Sequence, residues 1–401
     1  MTVLRSYRLI TAVDSPACFK ARAYLRWRNV PFRETPASEA TIRAEVRPRL
    51  NRVATPVLIT PDNETLHDTR AIIDRIETRE PGEPLRPAAP ADAFGCHLLE
   101  AWGDERLSPA AVLLTWLADP DTAVERLSRM AFGDEAEPRK ARSVRLMRDH
   151  VLRQLARRGF TQSAADTVRQ SLAEGLSLLD AHLERSPFLL GDRPCAADFS
   201  VYGAISVLDD PALKIPARVE RWRHRVAAPE GAEAPGRFRP APRQASTYTS
   251  LIKRAADDVL PEALEADAAL YDWAETHPGQ ANLPQSIGAI RRTVGDEPHR
   301  IELRPESAWL LARITAPLRE GLTRADAGQC EALLHAIGHL ALGEFEPSRA
   351  LENRHERLRL TMEDAHGSEV SAAAQNSVWD LMSTAEANAA KTRTLAELAA
   401  N

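Results

Sequence analysis

The chain has 401 residues, 44% of them hydrophobic, enough for a sizeable core and about two or three domains. Lys and Arg number 52 against 57 Asp and Glu, and the net charge of −5 excludes a bulk basic field for nucleic acid. Nothing resembling a signal peptide opens the sequence, and no apolar run approaches the roughly 20 residues that span a bilayer, so a cytoplasmic protein away from membranes is expected.

Tyr7 to Thr11 reads as a short strand, β-branched and aromatic in content. Val13-Asp14-Ser15-Pro16-Ala17-Cys18 then leads into a helix over Ala21 to Arg28, with Pro16 suited to its first turn. Ser15 therefore falls at a strand-to-helix turn beside unpaired N–H groups, where an anion such as a thiolate is stabilised. Pro31 to Glu34 reads as a second strand, followed by a polar helix around Ser38 to Val46. Thr55-Pro56-Val57-Leu58-Ile59 is a β-branched run with a proline at its entrance, and Pro61 to Glu64 is a turn cluster before a partner strand at Thr65 to His67. Asp68-Thr69 supplies an N-cap for a helix carrying Ile72, Ile73 and Ile76. The order βαβ-αββα predicts a mixed sheet with helices on both faces.

Ser-Pro-Ala-Cys at 15–18, Thr-Pro-Val-Leu-Ile at 55–59 and Asp-Thr-Arg-Ala-Ile at 68–72 resemble the thioredoxin-fold domain of the glutathione S-transferases, in particular its serine-type and bacterial members. The resemblance implies a cis peptide at Thr55-Pro56 and a glutathione site made by Thr55, Pro56, Val57, Asp68 and Thr69. It assigns Ser15 as the hydroxyl that bonds the glutathione sulfur and favours its thiolate. Glutathione is then a co-substrate, attacking a small hydrophobic electrophile, and no metal is implied. Family members commonly form homodimers, which is the expected assembly.

Each residue also has a structural reading. Ser15 and Asp68 are ordinary helix caps by residue type, and Thr55-Pro56 alone fits an edge-strand start. Cys18 holds the second place of a CxxC-like spacing whose first place is Ser15, so a dithiol cycle is unavailable; Cys18 and Arg52 are secondary candidates only. Tyr7 is a weak rival to Ser15, since it begins the strand. The other cysteines, Cys96, Cys195 and Cys330, are scattered without a CxxC pair, which favours a reducing compartment over a disulfide framework.

Residues 81–90 read as a proline-rich linker after a domain spanning 1–80. Residues 91–228 read as all helical, with apolar positions at helical spacing, and Trp102 and Leu113 are candidates to line an electrophile pocket between the two domains. Within this stretch, Leu190-Gly191 to Asp198 resembles the family's helix-capping motif, with Cys195 where a hydroxyl is usual and Asp198 at the acidic position. A Pro/Gly-rich connection at 229–246 precedes an additional, mostly helical extension over 247–401. There, Tyr248 to Trp273 reads as a helix pair broken near Pro261, Arg300 to Leu303 as a candidate strand, and Pro305 to Leu318, Arg324 to Leu342, Pro347 to Met362 and Ala372 to Ala399 as helices. His335 and His339 have the spacing of a zinc protease helix, but position 336, where the general base belongs, is alanine, and core-edge histidines are the preferred reading.

The whole reads as an α+β protein and an enzyme, a glutathione transferase. A catalytically inactive binding or scaffold protein of the same fold and a glutathione-dependent reductase or peroxidase are the alternatives.

Overall fold

The computed structural model describes residues 6–80, 82–133, 138–227, 238, 246–294, 297–323, 325–354 and 357–360, without the side chains of 138–143 and 352–357. It opens with β1 (Tyr7–Thr11), α1 (Pro16–Trp27) and β2 (Phe32–Pro36). Next come two short helices, α2 (Glu39–Thr41) and α3 (Arg47–Leu50), joined through a π-helical turn at Ile42–Val46. β3 (Val57–Ile59), β4 (Thr65–His67) and α4 (Thr69–Arg79) complete the unit.

The sheet runs β2-β1-β3-β4. β1 and β2 are parallel, with Tyr7 opposite Phe32, while β1–β3 and β3–β4 are antiparallel. This is the thioredoxin-like βαβ-αββα arrangement. In its register, Ile10 pairs with Val57, and Val57 with His67. The turn after β1, the entrance to β3 and the exit from β4 therefore share one end of the sheet.

A helical region adjoins this unit: α5 (Pro90–Trp102), a π-helical turn at Gly103–Leu107, α6 (Ser108–Ala118), α7 (Pro120–Phe132), α8 (Pro138–Ala156), α9 (Ala165–Leu183), α10 (Ala196–Val207) and α11 (Ala217–Ala227). α10 is apolar almost all round and buried, and α1 lies against it. Gly203 makes this possible: a Cβ there would lie 2.4 Å from the Pro16 carbonyl oxygen. Phe19 meets Tyr202, and Tyr24 meets Phe199, edge to face. At the start of α10, Asp198 accepts from the Cys195 N–H, the Leu189 N–H and Trp222 Nε1, at 2.9, 3.0 and 2.9 Å. The Cys195 thiol adds a further donor at 3.2 Å, so the cysteine joins the capping motif instead of leaving it open.

The extension holds α12 (Ser246–Thr276), a hairpin of β5 (Gly288–Val294) and β6 (Glu297–Leu303), α13 (Pro305–Leu322), α14 (Ala327–Ile337) and a second hairpin of β7 (Leu351–Arg354) and β8 (Arg357–Leu360). Two expectations are corrected here. Pro261 does not break a helix, because α12 runs through it as one element of 31 residues. A proline costs a helix its own N–H bond and some local clash, and the apolar stripe from Leu251 to Leu270, buried on both sides of Pro261, offsets that cost. Pro347 to Met362 is not a helix either, since β7 and β8 occupy its centre. Leu360 packs with Leu270 and Leu303, and its N–H donates to the Ala281 carbonyl at 3.0 Å, so tertiary pairing overrides a composition rich in helix formers. The helix expected over Ala372 to Ala399 lies outside the described residues.

One hydrophobic core joins α1 and α4 to α5, α9 and α10, and continues without a break into α12, α13 and α14. Among the described residues no helix is long and apolar enough to cross a membrane.

Candidate functional site

Ser15 is the N-cap of α1, half-buried, with extended backbone angles. Its Oγ accepts from the Cys18 N–H at 3.4 Å, a long bond. The preceding turn is held from the helical region: Arg126 Nε donates to Asp14 Oδ2 at 2.8 Å, and Val13 N–H points at Met130 Sδ, 3.1 Å away. α7 thus fixes the loop that presents Ser15. Nothing in the sequence signalled Arg126 or Met130, which lie more than a hundred positions away.

The Thr55-Pro56 peptide is cis. Thr55 is half-buried where the chain enters β3. Pro56 and Val57 are buried directly behind it. Asp68 caps α4 with φ +72°, and its Oδ1 accepts from the Arg70 N–H at 2.7 Å. Thr69, buried, is the first residue of the helix. Two helix N-termini, those of α1 and α4, therefore converge on the sheet end where Thr55 sits. Each presents donors and a partial positive charge, suited respectively to a thiolate and a carboxylate.

Cys18 is fully buried, and its Sγ accepts from the Ala12 N–H at 3.3 Å. Burial pushes its thiol up, against the hydrogen bonds from Ser15, Ala12 and Thr55. A thiol so placed is held in its neutral, poorly nucleophilic form. Arg52 donates to His67 Nε2. Burial, with the Arg52 charge beside it, brings His67 down to about 4, so the imidazole is neutral and accepts that bond. Arg52 thus lies next to the β4 exit that carries Asp68. Tyr7 stands at the far end of β1, where its hydroxyl donates to Glu80 at 2.8 Å, away from Ser15.

The two pocket candidates from the helical region do not line an open cleft. Trp102 is 1% exposed and its Nε1 donates to Asp258 Oδ2 of α12 at 2.8 Å; Leu113 is equally buried in the core. Of the half-buried apolar side chains, Val13 belongs to the Ser15 loop and Met130 of α7 meets it. His335 and His339 do not share a helix, because α14 ends at Ile337 and Gly338 turns left-handed at φ +78°; His339 Nε2 lies 3.5 Å from Asp257.

Behind the site lies a buried charge network that no local pattern of residues announces. Arg70, next to Thr69, turns its guanidinium to Asp104 at 2.7 Å. Lys20 of α1 reaches both Glu100 at 3.0 Å and Asp104 at 2.9 Å. Both converging helices are thereby anchored to the π-helical turn after α5.

Two stretches of the chain match known family models. Residues 9–84 match the family model of the glutathione S-transferase N-terminal domain, and residues 149–228 that of the C-terminal domain. FzlA from C. crescentus is 20% identical, with 61% of this chain and 99% of that chain covered, at a TM-score of 0.39. A glutathione S-transferase from Rhodospirillum rubrum F11 is 19% identical over 61% of this chain and 99% of its own, at 0.38. One from Ceriporiopsis subvermispora, in complex with glutathione, is 17% identical over 56% and 99%, at 0.40. A comparison with the curated proteins finds no match.

Proposed function

Through residues 9–84 and 149–228 the chain belongs to the glutathione S-transferase family, and we propose that it joins glutathione, as its thiolate, to a small hydrophobic electrophile. The observation that carries this reading is the convergence of Ser15, Thr55 and Asp68 at one end of the sheet, under two helix N-termini. In it, the Ser15 hydroxyl donates to the glutathione sulfur, and the α1 terminus adds its field. Thiols near pKa 8.5 are mostly protonated at neutral pH, so stabilising the anion raises the reactive fraction. The Thr55 main chain pairs with the cysteinyl unit, with Pro56 and Val57 behind it, while Asp68 and Thr69 hold the γ-glutamyl group. The apolar side chains around the Ser15 loop receive the electrophile.

The test is retention on glutathione-agarose followed by turnover of a broad electrophile. Ser15→Ala is expected to lower kcat/KM by about ten- to a hundredfold, the worth of one charge-assisted hydrogen bond. No retention and no turnover in the parent protein would leave the binding or scaffold reading in its place. A reductase reading would need a reactive thiol. Cys18, buried and pushed up, is ill suited to that role, and Cys18→Ser is expected to leave turnover intact. The proposal includes a cytoplasmic homodimer, whose sedimentation mass would be twice the 44.2 kDa of one chain.

A further inference from the structure

A cavity of about 240 Å³, lined by none of the candidate-site residues, lies where the β5–β6 hairpin closes over the helical region. Its walls come from the π-helical turn, α6, the loop after α8, α9, α12 and the hairpin itself. The hairpin is fastened there by the Arg157–Glu302 ion pair at 2.7 Å and by the Glu302 N–H donating to the Arg157 carbonyl at 2.8 Å. The cavity is therefore a product of the extension, and it exists only with that hairpin in place.

Its lining divides by chemistry. Leu107, Phe160, Val168 and Ile301 make an apolar interior. Three arginines, Arg106, Arg158 and Arg292, line it beside one acidic residue, Asp258. That carboxylate is already engaged, accepting from Trp102 Nε1 and from Arg254 Nε. Arg158 shares its counter-ion, since Glu105 also pairs with Arg304. Burial, with the Arg304 charge beside it, brings Arg158 down to about 10. No side chain among the described residues pairs with Arg292. Arg106 lies over the Phe160 ring, 5.2 Å from its centroid, and reaches Glu262 at 3.3 Å.

We propose that this cavity binds a small apolar carboxylate, such as a medium-chain fatty acid. The hydrocarbon lies among Leu107, Phe160, Val168 and Ile301, and the carboxylate meets Arg292 and Arg158 at the rim. Its volume is below the roughly 300–1,000 Å³ usual for small-molecule pockets, which excludes bulky ligands. An apolar body with one charged end satisfies both halves of the lining, and a neutral alcohol of equal length satisfies one.

The test is calorimetric titration of the full-length protein with octanoate, and with 1-octanol as the uncharged control. Saturable 1:1 binding of octanoate is expected, with 1-octanol at least about tenfold weaker. Arg292→Ala, a change on the hairpin surface, is expected to weaken octanoate by a similar factor. Thr167→Trp, at an exposed position of the mouth, is expected to abolish it by filling the entrance. Ser15→Ala should leave octanoate binding unchanged, which separates this cavity from the glutathione site. Absence of saturable binding, equal binding of 1-octanol, insensitivity to both cavity variants or loss with Ser15→Ala would each overturn the proposal.

Discussion

Lys20 and Glu100 face each other at 3.0 Å across the boundary between the sheet domain and the helical region, each 1% exposed. The lysine also holds Asp104, and Glu100 is shared with Arg86 at 3.1 Å. Burial pushes Asp104 up even with Lys20 and Arg70 beside it, whereas Glu100, the more enclosed of the two, is held well below the usual carboxylate range by Lys20 and Arg86 against the effect of burial. The pair joins the helix that presents Ser15 to the helix on which the extension rests.

Lys20→Met is expected to destabilise the fold by about 3 kcal/mol at pH 7.5, the cost of leaving buried carboxylate uncompensated. The loss should shrink at pH 5.5. Without Lys20, Asp104 moves further up, and a carboxyl with a raised folded pKa relieves its penalty as pH falls through that value. Urea melts of both proteins at the two pH values check this; a gap that widens at low pH would refute it.

Gly203→Ala places a Cβ 2.4 Å from the Pro16 carbonyl oxygen, which is backbone and cannot swing aside. α1 and α10 must part, at a cost of about 1–3 kcal/mol. Because Pro16 follows Ser15, the change is expected to weaken retention on glutathione-agarose more than a core truncation of equal cost, such as Leu179→Ala in α9, distant from the turn.

Glu105 sits between Arg158 and Arg304, at 2.8 Å from each. Burial alone would push it up, but the Arg304, Arg158 and Arg70 guanidiniums hold it well below the usual carboxylate range. Its stabilising contribution is complete above the unfolded value near 4.3 and is lost as pH falls toward the folded one. Glu105→Gln leaves two half-buried guanidiniums without their shared charge, and a loss of about 2–3 kcal/mol at pH 7 is expected by chemical denaturation.

Burial, with Arg86 close by, brings His97 down to about 4. The folded protein then binds fewer protons than the unfolded chain between pH 4 and about 6.5, so this contribution is full above that window and declines through it. Unfolding free energies measured by denaturant at pH 7.5 and pH 5 should converge by about 1–2 kcal/mol in His97→Asn relative to the parent. Equal pH dependence in both proteins would contradict it.

The sheet domain was readable because its signals are local. The Ser15-Pro16 turn, the β-branched run from Thr55 and the Asp68-Thr69 cap each announce themselves within a few residues, and strand register alone brings them together. The extension was harder for the opposite reason. Residues 351–360 carry Glu, Arg and Leu in proportions suited to a helix, and become a hairpin only because Leu360 finds Leu270 and Leu303. Trp102 looked like a pocket wall until α12, 156 positions later, supplied Asp258. The charge network shares that character, since Lys20 meets Glu100 at a separation of 80. Neither propensity nor motif carries such pairings.

The unbroken core that joins α5, α9 and α10 to α12, α13 and α14 has a consequence for how the molecule comes apart. Apolar side chains such as Leu251, Ile252, Leu311 and Leu318 are wholly enclosed, as are their partners on the helical region. Loosening the extension therefore wets both sides at once, so the two are expected to melt as a single cooperative unit. The described residues between 246 and 345 are structural members of the helical region, and a cut near residue 240 would remove part of its interior.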